Sequence, residues 1–292
     1  MMLPSHTFRS ALLACATATL PLSWASAAEP IRIVFQNGRS VPISAVALQG
    51  DKLTITAAFE SFTPGQSFPL AMADHVFGEK PAEINPGIAL MLMGKPGDAL
   101  KLLEPIVAAQ RITAKIPGNF WLDAARAALV AYAVSDNAAK CTEIGKEISD
   151  ATPAQGIDPF VSLGKALLLP ASASAEDRQT ALRDLTTDNL PADVCAYASF
   201  YRGNLLASLK RTPDPAKALQ QNTDTLEAYL MVPCLYPSGG MILNSVAELK
   251  AAEILVTLDR REEAIALLNS SVRESTGTLV AAEAAKRLES LK

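Results

Sequence analysis

The sequence predicts a mainly α-helical protein: a right-handed α-solenoid of about five helical hairpins plus a capping helix, preceded by a small antiparallel β module. Three observations predict it. From Met241 onward apolar residues recur three and four apart, as Ile242, Val246 and Leu249, then Ala264, Leu268 and Val272, then Ala281, Ala284, Leu288 and Leu291. Only a helix gathers such positions on one face. Turn signals near residues 95, 136, 172, 213 and 260 repeat at about 40 residues, and an internal period in that range marks stacked helical units. Between residues 29 and 79 the period switches to two, the spacing of strands.

Residues 1–28 read as a secretory signal peptide. Arg9 precedes an apolar run from Ala11 to Leu22, and Ala25-Ser26-Ala27-Ala28 offer small residues for cleavage after Ala27 or Ala28. The run is too short for a bilayer core of ~30 Å. A competing reading takes Leu12-Leu13-Ala14-Cys15 as a lipobox, which makes Cys15 a lipid-bearing first residue. The expected address is periplasmic or secreted, and no later apolar run is long enough for stable membrane insertion.

Residues 29–79 form the β module. Ile31, Ile33 and Phe35 alternate with polar neighbours, and Asn37-Gly38 suits a type I′ turn. A second strand is expected over Val41–Leu48, a third over Leu53–Ala57 and a fourth over Ser67–Ala71, with Phe59, Phe62 and Phe68 as core. The strand–Asn-Gly–strand–Gly-Asp–strand order resembles small SH3-like barrels. The alternative is a plain β cap on the first helical pair.

Residues 80–292 form the helical domain. The expected pairs are 85–93 with 97–110, 119–134 with 137–150, 160–169 with 175–187, and 191–210 with 215–231, followed by a C-terminal hairpin from Met241 whose two runs are separated by the polar break Asp259-Arg260-Arg261-Glu262-Glu263. A last helix follows Gly277. Pro96 suits a first helical position, Pro105 predicts a kink, and Ser174 with Asp177 predicts a capping box. Residues 232–240, with two prolines and two glycines, read as a loop.

At this point the chain resembles the tetratricopeptide repeat. Gly87, Gly94 and Ala99 in the first pair, and Ala252, Asp259 and Ala264 in the last, keep the family's spacing of a small residue, a turn residue and an alanine. The phrases GKPGDALKLL and LDRREEAIALL are similar to its turns. The resemblance implies binding on the first helices of the pairs, and an interaction scaffold or assembly factor for a protein or peptide partner in the cell envelope. The alternative is a carrier of a small ligand or envelope polymer, in a pocket where the β module meets Met91–Met93.

Composition narrows the chemistry. Without Arg9 the chain has 25 basic against 30 acidic residues, a poor match for nucleic acid. After residue 28 it has one histidine, His75, and no H-E-x-x-H or C-x-x-C spacing, so neither a metal, a cofactor nor catalysis is expected. Candidate binding residues are Tyr197, Tyr201, Arg202 and Asn204 on the fourth pair, with Trp121 and Arg126 on the second. Core burial of the aromatics is the competing reading. Cys195 and Cys234 fall at the same open end of the fourth hairpin, which makes them the candidate disulfide. The alternative is that both, with Cys141, are small buried apolar residues.

Overall fold

A computed structural model describes residues 29–152, 156–170 and 172–291. The cleavage site and Cys15 lie outside them. Six strands come first: β1 (Arg32–Phe35), β2 (Ser40–Pro42), β3 (Val46–Gln49), β4 (Lys52–Ile55), β5 (Ser67–Pro69) and β6 (Ala73–Phe77). They pair into two antiparallel three-stranded sheets, ordered β2-β1-β6 and β3-β4-β5. The strand expected over Val41–Leu48 is broken after Pro42, where a 3-10 turn at Ile43–Ala45 carries the chain from one sheet to the other. Proline removes the ladder donor that a continuous strand needs there. Gly38 has φ 78° but Asn37 does not share its sign, so the first hairpin is a three-residue loop ending on a left-handed glycine, not type I′. Phe35, Phe62 and Phe68 fill the space between the sheets, with ring centroids 5.1–5.7 Å apart.

Eleven helices follow among the described residues: α1 (Ile84–Leu92), α2 (Pro96–Gln110), α3 (Trp121–Val134), α4 (Ala138–Ala151), α5 (Pro159–Leu167), α6 (Ala175–Arg183), α7 (Ala192–Ser208), α8 (Pro215–Leu235), α9 (Met241–Thr257), α10 (Arg261–Glu274) and α11 (Leu279–Ser290). Local chemistry sets their ends. The Ser174–Asp177 capping box is formed in full. Three hairpins turn in one way: Lys95 N–H reaches Leu90 O at 2.8 Å, Asn137 N–H reaches Tyr132 O at 2.9 Å, and Arg260 N–H reaches Leu255 O at 2.9 Å. Each turn places a left-handed residue, Gly94, Asp136 or Asp259, just past the helix, which lets the outlying amide satisfy a free carbonyl.

One expectation about the helices is corrected. Residues 232–235 are not loop: α8 runs through Pro233 to Leu235, and only Pro237–Gly239 form a short 3-10 turn before α9. Packing outweighs the proline, since Val232 is completely buried and Tyr229 nearly so. Pro105 lies inside α2, within the run where the sequence placed it.

The helices form a two-layered ring. The first helices of the pairs make a closed circuit, with α1 packed on α3, α3 on α5, α5 on α7, α7 on α9 and α9 back on α1. An open solenoid keeps its first and last units apart; here α1 touches both α9 and α11. The inner helices α3, α7 and α9 are buried round most of their circumference, whereas α4, α6 and α10 bury one side. Small residues permit the close approach. Gly87 lies against Leu103, and Ala99, Ala252 and Ala264 are buried. The β module leans on this ring through the α2–α3 connection: Val76 N–H donates to Pro117 O at 2.9 Å, and Ile116 completes the β core.

Candidate functional site at the mouth of the ring

The inner helices share a direction, so their N-terminal ends gather at one face. They surround a cavity of about 240 Å³ lined by Asn85 and Ile88 of α1, Asp123 and Arg126 of α3, Phe160 of α5, Asp193 and Tyr197 of α7, and Gly239–Leu243 at the start of α9. Lys80, in the connection from β6, reaches the rim and pairs with Asp123 at 2.8 Å.

Asp158 is the anchor on one side. It is completely buried, its Oδ1 accepts the Phe160 amide at 2.9 Å as the cap of α5, and its Oδ2 accepts from Arg126 Nη2 at 2.6 Å. Arg126 in turn lies over the Phe160 ring, 4.9 Å from its centroid, and its Nε is buried with no protein partner. Across the cavity Tyr197 stands edge-on to Phe160, with centroids 5.4 Å apart. Tyr197 is 7% exposed, and its hydroxyl has no hydrogen-bond partner among the described residues. Burial, followed by the negative charges of Asp193 and Asp123, pushes its phenol well above the usual range. It therefore stays protonated and can donate a hydrogen bond.

The six residues singled out in the sequence divide. Arg126 and Tyr197 meet at the mouth. Tyr201 is not on an open groove: it is 6% exposed, packs edge-on to Phe200 at 5.3 Å, and carries an unpartnered hydroxyl in the interior. Arg202 is half-buried, and Asn204 accepts the Tyr229 hydroxyl at 2.8 Å as an internal brace between α7 and α8. Trp121 is core, 1% exposed, with its indole N–H unpartnered. The aromatics of α7 are inside because the ring closes around them, which an open array does not do.

Cys195 and Cys234 are not bridged, and neither is Cys141. The extension of α8 carries Cys234 onto an exposed helical turn, while Cys195 is buried with its sulfur 3.7 and 3.8 Å from the Thr187 and Leu190 carbonyls. The pocket expected between the β module and Met91–Met93 is also elsewhere. Met91 is buried, and Met93 lines a cavity of about 470 Å³ between α1, α9 and α11. His75 sits on β6 paired with its neighbour Asp74 at 2.8 Å.

Sequence reasoning missed Asp158, Phe160 and Asp193. The available signal was position: each falls within the first turn of an inner helix or immediately before it. Among the described residues no cluster of three or more ligating side chains could hold a metal ion, and no helix is long and apolar enough to cross a membrane. No family model, curated protein or solved structure matches the chain.

Proposed function

We propose that this is a non-enzymatic recognition protein that holds a small ligand at the mouth of its helical ring. The observation that carries this reading is the convergence of five helix starts on one cavity, with the Tyr197 hydroxyl and the Arg126 guanidinium at its wall. Small-molecule sites are concave, largely apolar and equipped with a few directed polar groups. At about 240 Å³ the cavity suits a compact molecule, below the ~300–1,000 Å³ typical of larger ligands. A groove-binding scaffold has less support, because Tyr201 is interior. The polar groups favour holding over reacting: Arg126 is fixed by Asp158, and Tyr197 keeps its proton.

Two further elements belong to the proposal. The hairpins are variants of a tetratricopeptide-like solenoid unit whose small-residue contacts allowed closure. The chain acts after export, with residues 1–28 removed, in the periplasm or outside the cell. The test follows backbone amide signals while free amino acids, short peptides and sugars are added singly. Shifts at Arg126, Tyr197 and Gly240 support the reading. Shifts confined to the outer helices, or none, overturn it.

A further inference from the structure

We infer that the seam where the ring closes is a binding site for a small dianion with an apolar body. The site is separate from the mouth and does not rest on it.

The seam cavity, about 470 Å³, falls within the ~300–1,000 Å³ of small-molecule sites. It lies among the end of α1, the middle of α9 and one stripe of α11. Val280, Ala281 and Ala284 are the buried stripe of α11. A second stripe, Leu279, Ala282, Glu283, Lys286 and Arg287, faces the cavity at helical spacing. Ala282 is its short member and leaves room between longer neighbours.

Charge decides the ligand class. Lys95, Lys250, Lys286 and Arg287 line the cavity against two carboxylates, Glu253 and Glu283, a formal charge of +2. The whole chain is acidic, with 26 basic and 30 acidic residues, so the sign is reversed here. Both carboxylates are already answered. Lys250 pairs with Glu253 at 3.1 Å, and Arg287 reaches Glu253 at 3.4 Å and Glu283 at 2.9 Å. Lys95 and Lys286 make no ion pair among the described residues. Asp98, another carboxylate in the field of Lys95, is paired with Lys101 at 2.7 Å. Glu283 feels both free lysines. Its carboxyl lies below its ordinary value, chiefly through the Arg287 hydrogen bond and against burial, with the charges of Arg287, Lys286 and Lys95 adding to the effect. Lys95, at the α1–α2 turn, and Lys286, on the last helix, therefore act on the same space.

A cation entering the seam is repelled, and a neutral molecule leaves both lysines unanswered. A monoanion answers one of them. A dianion answers both and spans the seam. The wall of Leu90, Met93 and the buried Leu249, with the half-exposed Leu279, fits an apolar body. A dicarboxylate and a phosphate monoester share this chemistry and differ in the spread of their charge.

Calorimetry on the full mature chain, slightly above neutral pH and at low salt, tests the inference with benzylsuccinate, phenyl phosphate, 3-phenylpropionate and benzyl alcohol. At least one dianion is expected to bind about fivefold or more tighter than the monoanion 3-phenylpropionate, the size of one partly exposed charge pair. The tighter of the two dianions identifies dicarboxylate or phosphate. Lys95→Gln and Lys286→Gln alter exposed side chains without ion pairs, so both variants are expected to fold as the native chain does. Each is expected to weaken the dianion about fivefold and 3-phenylpropionate less. The bound dianion is expected to slow amide exchange in both α1 and α11. Equal affinity for 3-phenylpropionate or benzyl alcohol, no binding of either dianion, or indifference to both lysine variants overturns the inference. Shifts at Arg126 and Tyr197 with the α11 amides unmoved place the dianion at the mouth and overturn it as well. The reading of the mouth is judged by its own titration and survives any of these failures.

Discussion

Arg126 Nη2 donates to Asp158 Oδ2 at 2.6 Å, and this contact ties the inner helix α3 to the first turn of α5. The carboxylate is completely buried and the guanidinium about one-fifth exposed, so each depends on the other for its charge. Removing the cation alone is therefore expensive. Arg126→Met is expected to lose roughly 3 kcal/mol, the cost of stranding a buried charge. The double variant with Asp158→Asn is expected to recover most of it, because asparagine still caps α5. Urea titrations of the two variants measure the difference. Equal losses in both leave the pair without its assigned role.

Two backbone positions have opposite signs. Gly203 lies in the middle of α7, where alanine normally gains about 1 kcal/mol over glycine. A Cβ there meets the ring of Tyr229 at 2.6 Å, and Tyr229 is buried and held by Asn204. The expected result for Gly203→Ala is a net loss of about 1–3 kcal/mol through overpacking. Asp259 has φ 60° at the α9–α10 turn. Asp259→Gly relieves that conformation and is expected to stabilise by a few tenths of a kcal/mol to about 1. Thermal unfolding reports both.

The three cysteines after residue 28 differ in access. Cys141 and Cys195 are buried and burial pushes both thiols up, while Cys234 is exposed. Without reductant, thiol titration of the mature chain is expected to find one group reacting at once and two more only after unfolding. A single reactive group after full unfolding means that a bridge forms and that the end of α8 rearranges.

The ring was partly legible in the sequence, and the mouth was not. Helix positions follow from apolar spacing at three and four, and turns such as Gly94 and Asp259 follow from chemistry local to the chain. Closure depends on the long-range contact of α1 with α9 and α11, which no periodicity encodes. That contact decides whether Tyr201 faces a groove or a core. The β module shows the same limit at shorter range. The sequence reads as one strand across Pro42, and the register of β6 against β1 depends on chain more than thirty residues away. Asp158 was invisible for another reason: a capping aspartate and a buried ion-pair partner look alike until α3 is placed beside it.

Glu248 is 7% exposed in α9, with Oε1 accepting from Ser270 at 3.1 Å and Oε2 buried without a partner. Burial is the main cause that raises its carboxyl above the ordinary value of 4.5; the Ser270 hydrogen bond opposes it, Glu274 adds to it, and Arg273 opposes it. The folded state thus keeps the proton to higher pH than the unfolded chain. Stability is lost as pH rises through that interval and regained as it falls. Glu248→Gln keeps the contact with Ser270 and removes the ionisation. Its advantage over the native chain is expected at pH 7 and should shrink towards pH 4. Denaturant titrations at the two values check it, and a gap independent of pH counts against a buried carboxyl.

The last helix is expected to hold the ring shut. Val280 and Ala284 of α11 are completely buried, and Arg287 bridges to Glu253 of α9 at 3.4 Å while pairing with Glu283 of its own helix at 2.9 Å. The same helix touches α1. Removing residues 279–291 uncovers apolar surface on α9 and α10, and a buried valine alone accounts for about 1.5–3 kcal/mol. It also frees one side of α1. The truncated chain is expected to aggregate and, at low concentration, to exchange its α1 amides faster than the full chain does. Aggregation with unchanged exchange in α1 means that α11 only covers its neighbours. A monodisperse chain with an unchanged α1 means that the contact of α1 with α9 closes the ring unaided.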